Sequence, residues 1–233
     1  ENIKNYLLVN QKDNDEIAID LEYGYQYLLC IYACMNIGLT YIPLQPKWPQ
    51  ERIKQIEKVS RYNFIINANN ISQVLSFHDK AQITSFSLDP DKPLYIIFTS
   101  GTTGIPKGVV IQRKSYEHFI NWLDEYFDTI DQENNLLFIT DFSFDMSLLD
   151  IGLFLCKQCN AYFTEFNGNT FRLAYEIQTF QINSIATVPS NINLLLKDDI
   201  FDRADYSSLD HLLLGGSRFS YKAYDPLKLK NNY

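Results

Sequence analysis

Short apolar runs alternate along this chain with longer stretches in which apolar positions recur every three or four residues. Ile17-Ala18-Ile19 has the length and β-branched content of a strand. From Tyr25 to Ile37 large apolar groups fall on every side of a helical wheel, which predicts a helix buried all round. Gly38 follows as its natural stop. Pro43, Pro46 and Pro49 predict an irregular, extended segment, because each proline restricts both itself and the residue before it. From Gln50 to Ser60 the helical spacing returns, with Ile53, Ile56 and Val59 three apart.

The second half repeats the alternation. Residues 94–98 form a continuous apolar run, the pattern of a fully buried strand, and lead into a loop rich in glycine and threonine. Ser115 suits the N-cap of a helix carrying Phe119, Ile120, Leu123, Tyr126 and Phe127 on one face. Strands are predicted at 136–140, 185–188 and 212–214, with a short helix through Ile192, Leu195 and Leu196 between the last two. The pattern predicts an α/β fold, layered sheets flanked by helices. A boundary near Asp89 to Pro93 would divide subdomains 1–90 and 91–233.

Composition narrows the function classes. With 233 residues, 46% of them hydrophobic, the chain can bury a sizeable core and lies outside the disordered range. Twenty basic against 28 acidic residues give a net charge of −8, without the electrostatic footprint of a nucleic-acid binder. No apolar run approaches the ~18 residues that span a bilayer. Glu1-Asn2-Ile3-Lys4 lacks the basic-then-apolar layout of a signal peptide. The expectation is a cytoplasmic protein with neither nucleic-acid nor membrane partners. Cys156 and Cys159 form a C-x-x-C, a spacing that raises zinc or redox chemistry. Neither this pair nor Cys30 and Cys34 has a nearby histidine, and Cys156 sits in an apolar run. Reduced, mostly buried thiols and no metal site are expected.

The chemistry concentrates in Tyr95-Ile96-Ile97-Phe98-Thr99-Ser100-Gly101-Thr102-Thr103-Gly104-Ile105-Pro106-Lys107-Gly108-Val109. Here a strand delivers four hydroxyls, three glycines and a lysine. Hydroxyls donate to phosphate oxygens, glycines let backbone N–H groups approach an anion, and Lys107 supplies a mobile point cation. The order of residues is not that of a Walker A loop, since Gly108 follows the lysine instead of preceding it. Taken without further context, a Gly/Thr/Pro-rich loop can equally be a surface turn. The complete string resembles the phosphate-loop signature Y-x-x-x-T-S-G-[ST]-T-G-x-P-K-G-V of the adenylate-forming superfamily. That superfamily includes nonribosomal peptide synthetase adenylation domains, D-alanine–carrier-protein ligases, acyl-CoA synthetases and luciferases. The stretch from Met35 to Ile53, with Gly38, Tyr41, Pro43, Pro46, Pro49 and Arg52, resembles an upstream motif of the same superfamily. Gln45 stands where the family has aspartate. Read from its own residues, this stretch is a buried crossover pinned by three prolines and Trp48, and both readings make it scaffold.

Phe142-Ser143-Phe144-Asp145-Met146-Ser147 resembles the F-D-x-S motif of amino-acid-activating members, whose aspartate pairs with the substrate α-ammonium. Flanked by Phe144, Met146 and Leu148, Asp145 is expected in a low-dielectric setting that strengthens such a pair. The alternative is that Ser143 or Asp145 caps the following helix. None of His78, His118 and His211 lies here, unlike the proline-and-histidine pattern of acyl and aryl activators. Ile185 to Ser190 resembles the family's pocket-wall strand. His211 to Ser217 resembles the L-x-x-x-x-G-G-E stretch that borders adenine, with Ser217 replacing the glutamate. By this resemblance Met146, Leu149, Thr187, Leu212 and Leu214 line a mostly apolar side-chain pocket, and Gly215, Gly216 and Ser217 meet the nucleotide.

The resemblance implies ATP and Mg²⁺ as cofactors, with Thr99, Ser100, Gly101, Thr102, Thr103, Gly104 and Lys107 at the phosphates. Thr102, Thr103 and Lys107 would stabilise the reaction's charge. It further implies activation of an amino acid to an aminoacyl-adenylate, pyrophosphate release, and transfer to a phosphopantetheinyl carrier. The chain is expected to be a partial large N-terminal domain, lacking the C-terminal lid and stopping at Asn231-Asn232-Tyr233, and weak or inactive alone. Two alternatives stay open: an acyl- or aryl-acid CoA ligase of the same superfamily, and a non-catalytic interaction module.

Overall fold

The computed structural model describes residues 1–10, 15–81, 87–99 and 105–218. They form two compact units, residues 1–119 and 120–233, each built on its own sheet. The division falls between Phe119 and Ile120. The boundary expected near 90 instead lies inside the first unit, because the strand that follows it is hydrogen-bonded into that unit's sheet.

The first unit runs α1 (Asn2–Asn10), β1 (Glu16–Asp20), α2 (Tyr25–Ile37), β2 (Thr40–Pro43), α3 (Gln50–Val59), β3 (Ile65–Asn67), α4 (Ile71–Leu75), β4 (Pro93–Thr99), β5 (Lys107–Gln112) and α5 (Arg113–Tyr126), the last continuing past Phe119. Its sheet has the order β3-β1-β2-β4-β5, parallel except for the antiparallel β4–β5 hairpin. Strand alternation divides the core between two faces. Ala18, Ile42, Ile96 and Phe98 pack with Ile56 of α3 on one face. On the other, Tyr27 of α2 donates to the carbonyls of Ile19 (2.7 Å) and Leu44 (2.9 Å), and the rings of Tyr41, Tyr95 and Tyr116 pack in sequence.

Several predicted elements recur with their limits nearly intact. α2 spans Tyr25–Ile37 and stops at Gly38 in the left-handed conformation, φ 88°. Arg113 completes that stop, donating to the carbonyls of Met35 and Leu39. The helix is not buried all round: Tyr25, Leu29 and Tyr32 form an exposed stripe, since the sheet lies on only one side of it. The proline-rich segment opens with a strand, β2, because Pro43 sits at its last position and costs no interior ladder bond. Val59 is exposed at the end of α3, whereas Ile56 carries its buried face. α5 begins two residues before Ser115, which is therefore exposed within the first turn and is not the N-cap. Tyr116 and Leu123 form its buried face, and Tyr126 points outward.

The second unit comprises the rest of α5, then β6 (Asn135–Phe138), α6 (Ser147–Lys157), β7 (Asn160–Phe163), α7 (Thr170–Thr179), β8 (Ser184–Thr187), α8 (Pro189–Lys197) and β9 (His211–Leu214). Its four strands are all parallel, in the order β7-β6-β8-β9. Leu137 and Ile185 pack against Leu173, Ala174 and Ile177 of α7 and Leu195 of α8. Phe138, on the opposite face, meets Phe142 and Phe154 of the α6 segment. Helices thus cover both faces, as a parallel sheet requires. Cys30, Cys34 and Cys159 are buried free thiols, with burial pushing Cys30 up to about 12 and Cys159 up to about 11. Among the described residues no helix is long and apolar enough to cross a membrane.

Candidate functional site

In an open α/β sheet a binding crevice forms beyond the carboxyl ends of two neighbouring strands whose outgoing segments part. Each unit contains one such place. In the first sheet the neighbours are β2, which leaves towards β3, and β4, which leaves towards β5 on the other side. In the second they are β6, which leaves towards β7, and β8, which leaves towards β9. The motifs singled out in the sequence follow β2, β4, β6, β8 and β9.

At the first edge the β4–β5 hairpin sets the base of the glycine- and threonine-rich loop. Thr99 is paired with Lys107 in register, and its hydroxyl donates to the Lys107 carbonyl at 3.4 Å. Ser100, Gly101, Thr102, Thr103 and Gly104 lie outside the described residues. Thr99 and Lys107 are both exposed, and Lys107 has no side-chain partner among the described residues. Gly108 is a steric requirement. A Cβ there would sit 2.8 Å from Ile96 Cγ2 and 3.2 Å from the Phe98 ring, which occupy the space a side chain would need.

At the second edge three loops meet. After β6 the chain coils into α6 through successive turns. Asp141 Oδ1 accepts from the Ser143 N–H at 2.8 Å, and the Ser147 hydroxyl donates to the Phe144 carbonyl at 2.7 Å. Phe142, Ser143 and Ser147 are buried and pin the loop, so Phe144 (58% exposed) and Asp145 stand outward. The expected low-dielectric setting of Asp145 is therefore absent: its carboxylate is exposed, because the inward positions of the turn belong to its neighbours. Nor is it a cap. Met146 holds the N-cap position of α6 and no side chain bonds there. Among the described residues the Asp145 carboxylate has no hydrogen-bond or ionic partner.

β8 and β9 complete this edge. The Gly215 N–H donates to the Thr187 carbonyl at 3.2 Å. A Cβ on Gly215 would lie 3.1 Å from Met146 Cε, which shows how closely the β9 and β6 loops approach. Gly216 has φ +85°, and its Cβ position faces Val188 Cγ1 at 3.4 Å. Gly216 and Ser217 are exposed, presenting bare backbone at the rim. The residues expected to line a side-chain pocket are not all brought together. Thr187 is buried and turned into α8, its hydroxyl accepting from Asn191 at 2.9 Å. Leu212 pairs with Ile185, below the edge, and packs into the core. Met146 and Leu149 belong to the α6 segment, and Leu214 lies at the edge beside Thr187.

Two features were not foreseen from the sequence. Asp150, in the first turn of α6, is 0% exposed, and neither carboxylate oxygen has a hydrogen-bond partner among the described residues. Burial pushes its carboxyl well above the usual range. Arg52 reaches the end of β4. The first lies in an apolar-looking helical run and the second in a segment read as scaffold, so neither left a signal in the pattern.

Against known proteins, the family model described as AMP-binding enzyme matches residues 3–230. The chain is 28% identical over 209 residues to the dapdiamide synthesis protein DdaD of Enterobacter agglomerans, covering 88% of this chain and 36% of that protein. It is 29% identical over 242 residues to a D-alanine–D-alanyl carrier protein ligase of Listeria welshimeri, covering 93% and 47%. The chain thus spans less than half the length of either relative. In fold it is similar to the N-terminal subdomain of Klebsiella oxytoca NpsA in complex with 3-hydroxyanthranilyl-AMSN, with TM-score 0.82 and 18% identity over 97% of this chain and 59% of that one.

Proposed function

Because the chain belongs to the AMP-binding enzyme family, we propose that it carries the nucleotide- and amino-acid-recognition part of an adenylate-forming ligase. The reaction is attack of a substrate carboxylate oxygen on the α-phosphorus of ATP, forming an acyl-adenylate as the bond to the leaving pyrophosphate breaks. Charge grows on the departing phosphates, so donors and cations aimed at them lower the barrier. Thr99, Ser100, Thr102, Thr103 and Lys107 take that role, with Gly101 and Gly104 giving backbone access. Gly215, Gly216 and Ser217 border the base. Among the described residues no group of three or more His, Cys, Asp or Glu side chains could hold a metal. Mg²⁺ would enter with the nucleotide and offset the charge on its phosphates.

The observation that carries the amino-acid reading is the exposed Asp145 carboxylate at the β6/β8 edge, unpaired among the described residues, beside the exposed ring of Phe144. An α-ammonium docked there gains a charge-assisted hydrogen bond and is held for in-line attack. Met146, Leu149 and Leu214 then lie nearest for an apolar substrate side chain. A phosphopantetheinyl carrier receives the product in this reading, as the name of the Listeria relative suggests for that protein. The test is thermal melting with Mg-ATP and single amino acids, since a ligand bound to the folded state raises Tm. A rise with ATP that grows with one amino acid supports the proposal and names the substrate. If Asp145→Ala left the amino-acid increment intact, Asp145 would not be the ammonium partner; if no amino acid added to the shift with ATP, an acyl- or aryl-acid substrate would replace the amino acid.

A further inference from the structure

The proline-rich crossover after β2 does more than link two elements. Trp48 packs against the core cluster of Ala18, Ile42, Leu44 and Phe98. The Arg52 guanidinium lies over its ring, 4.1 Å from the centroid. From there Arg52 Nη2 donates to the carbonyl of Phe98 at 3.2 Å. Phe98 is the last residue of β4 before Thr99, and opposite it in the hairpin stands Gly108. The contact therefore spans the parting between β2 and β4, joining the outgoing segment of one to the end of the other.

Arginine suits this place for a physical reason. Its flat, delocalised cation can stack on an indole face and donate in its own plane at the same time. The contact is also one-sided: Arg52 Nε is buried without a hydrogen-bond partner among the described residues. A side chain serving only to fill space would not need a guanidinium left partly unsatisfied. We propose that Arg52, braced on Trp48, is a positioning residue for nucleotide binding, fixing the end of β4 and through it Thr99 and Lys107. This rests on the nucleotide reading above.

The test compares the wild type with Arg52→Ala, Arg52→Lys and the milder Trp48→Leu, by amide hydrogen exchange and by calorimetric titration with Mg-ATP. Loss of one charge-assisted bond predicts a roughly tenfold rise in Mg-ATP Kd for Arg52→Ala. Exchange of the Gly108 and Val109 amides, paired with the end of β4, should quicken by about the same factor, with β1 and β8 unchanged. Arg52→Lys should recover part of both effects, and Trp48→Leu should show a weaker form of both. Unchanged exchange and affinity, or faster exchange spread evenly over the first unit, would overturn the proposal. If the wild type bound no Mg-ATP the nucleotide reading would fail, and the exchange comparison would still accept or reject the brace.

Discussion

The carboxyl edges of the two sheets are built on opposite plans. Around β2 and β4 the first is braced. A guanidinium grips a strand carbonyl, an indole supports the guanidinium, and Gly108 gives up its side chain so that Ile96 and Phe98 can close over the hairpin. The second, around β6 and β8, ties down its backbone with Asp141, Ser143 and Ser147 but leaves Asp145, Phe144, Gly216 and Ser217 open. A loop that meets a polyanion gains from rigidity, because the charge it faces has a fixed shape. An edge that meets a variable side chain gains from unpaired groups and movable ones, such as Met146 over Gly215. In the proposed reading, the same sheet rule serves two kinds of recognition.

Five substitutions test this contrast. The largest effect is expected from Asp145→Ala: amino-acid affinity in the presence of Mg-ATP should fall about a hundredfold, read by titration, as one charged partner is lost. Gly108→Ala should cost about 1–3 kcal/mol in urea denaturation, since its Cβ meets Ile96 at 2.8 Å. The matching change at the open edge, Gly215→Ala, should cost less than about 0.5 kcal/mol, because the atom it meets is the free end of Met146. Equal costs would erase the distinction between braced and open edges.

Asp150→Asn should act in the opposite direction. Its carboxyl is raised above the ordinary 3.8 by burial, so the folded state holds a proton that the unfolded state releases. Stability from this group is complete below pH 4 and is lost as pH rises. The substitution should therefore stabilise by on the order of 1–2 kcal/mol at pH 7, with the gain vanishing towards pH 4 in melts across that range. Gly216→Ala, at φ +85°, should cost about 1 kcal/mol in the same urea denaturation, through backbone strain and not through a steric clash.

Much of the scaffold was legible because its signals are local. The apolar run from Leu94 to Phe98 has one reading, a buried strand, and Gly38 can end a helix by its own conformation. What could not be read depends on long-range partners. β2 becomes a strand because β1 and β4 flank it, whatever its proline suggests. Tyr116, not Tyr126, is buried because Tyr95 waits for it on the sheet. Asp145 is exposed because Phe142 and Ser143 take the inward positions, a choice that spacing alone leaves undetermined. Arg52 acts on a backbone carbonyl, which no pattern of side chains can announce.

The antiparallel pairing of Thr99 with Lys107 carries a kinetic consequence. Every other strand pair in these sheets is parallel and needs a long crossover before its first ladder bond can form, as when Ala18 must find Ile65. Closing a short loop loses less chain entropy than closing a long one, and closes sooner. The hairpin is therefore the cheapest tertiary contact for the unfolded chain to make, and β2 and β1 have a template to dock on once it exists. The segment proposed to grip the nucleotide would then also be the seed from which its sheet grows.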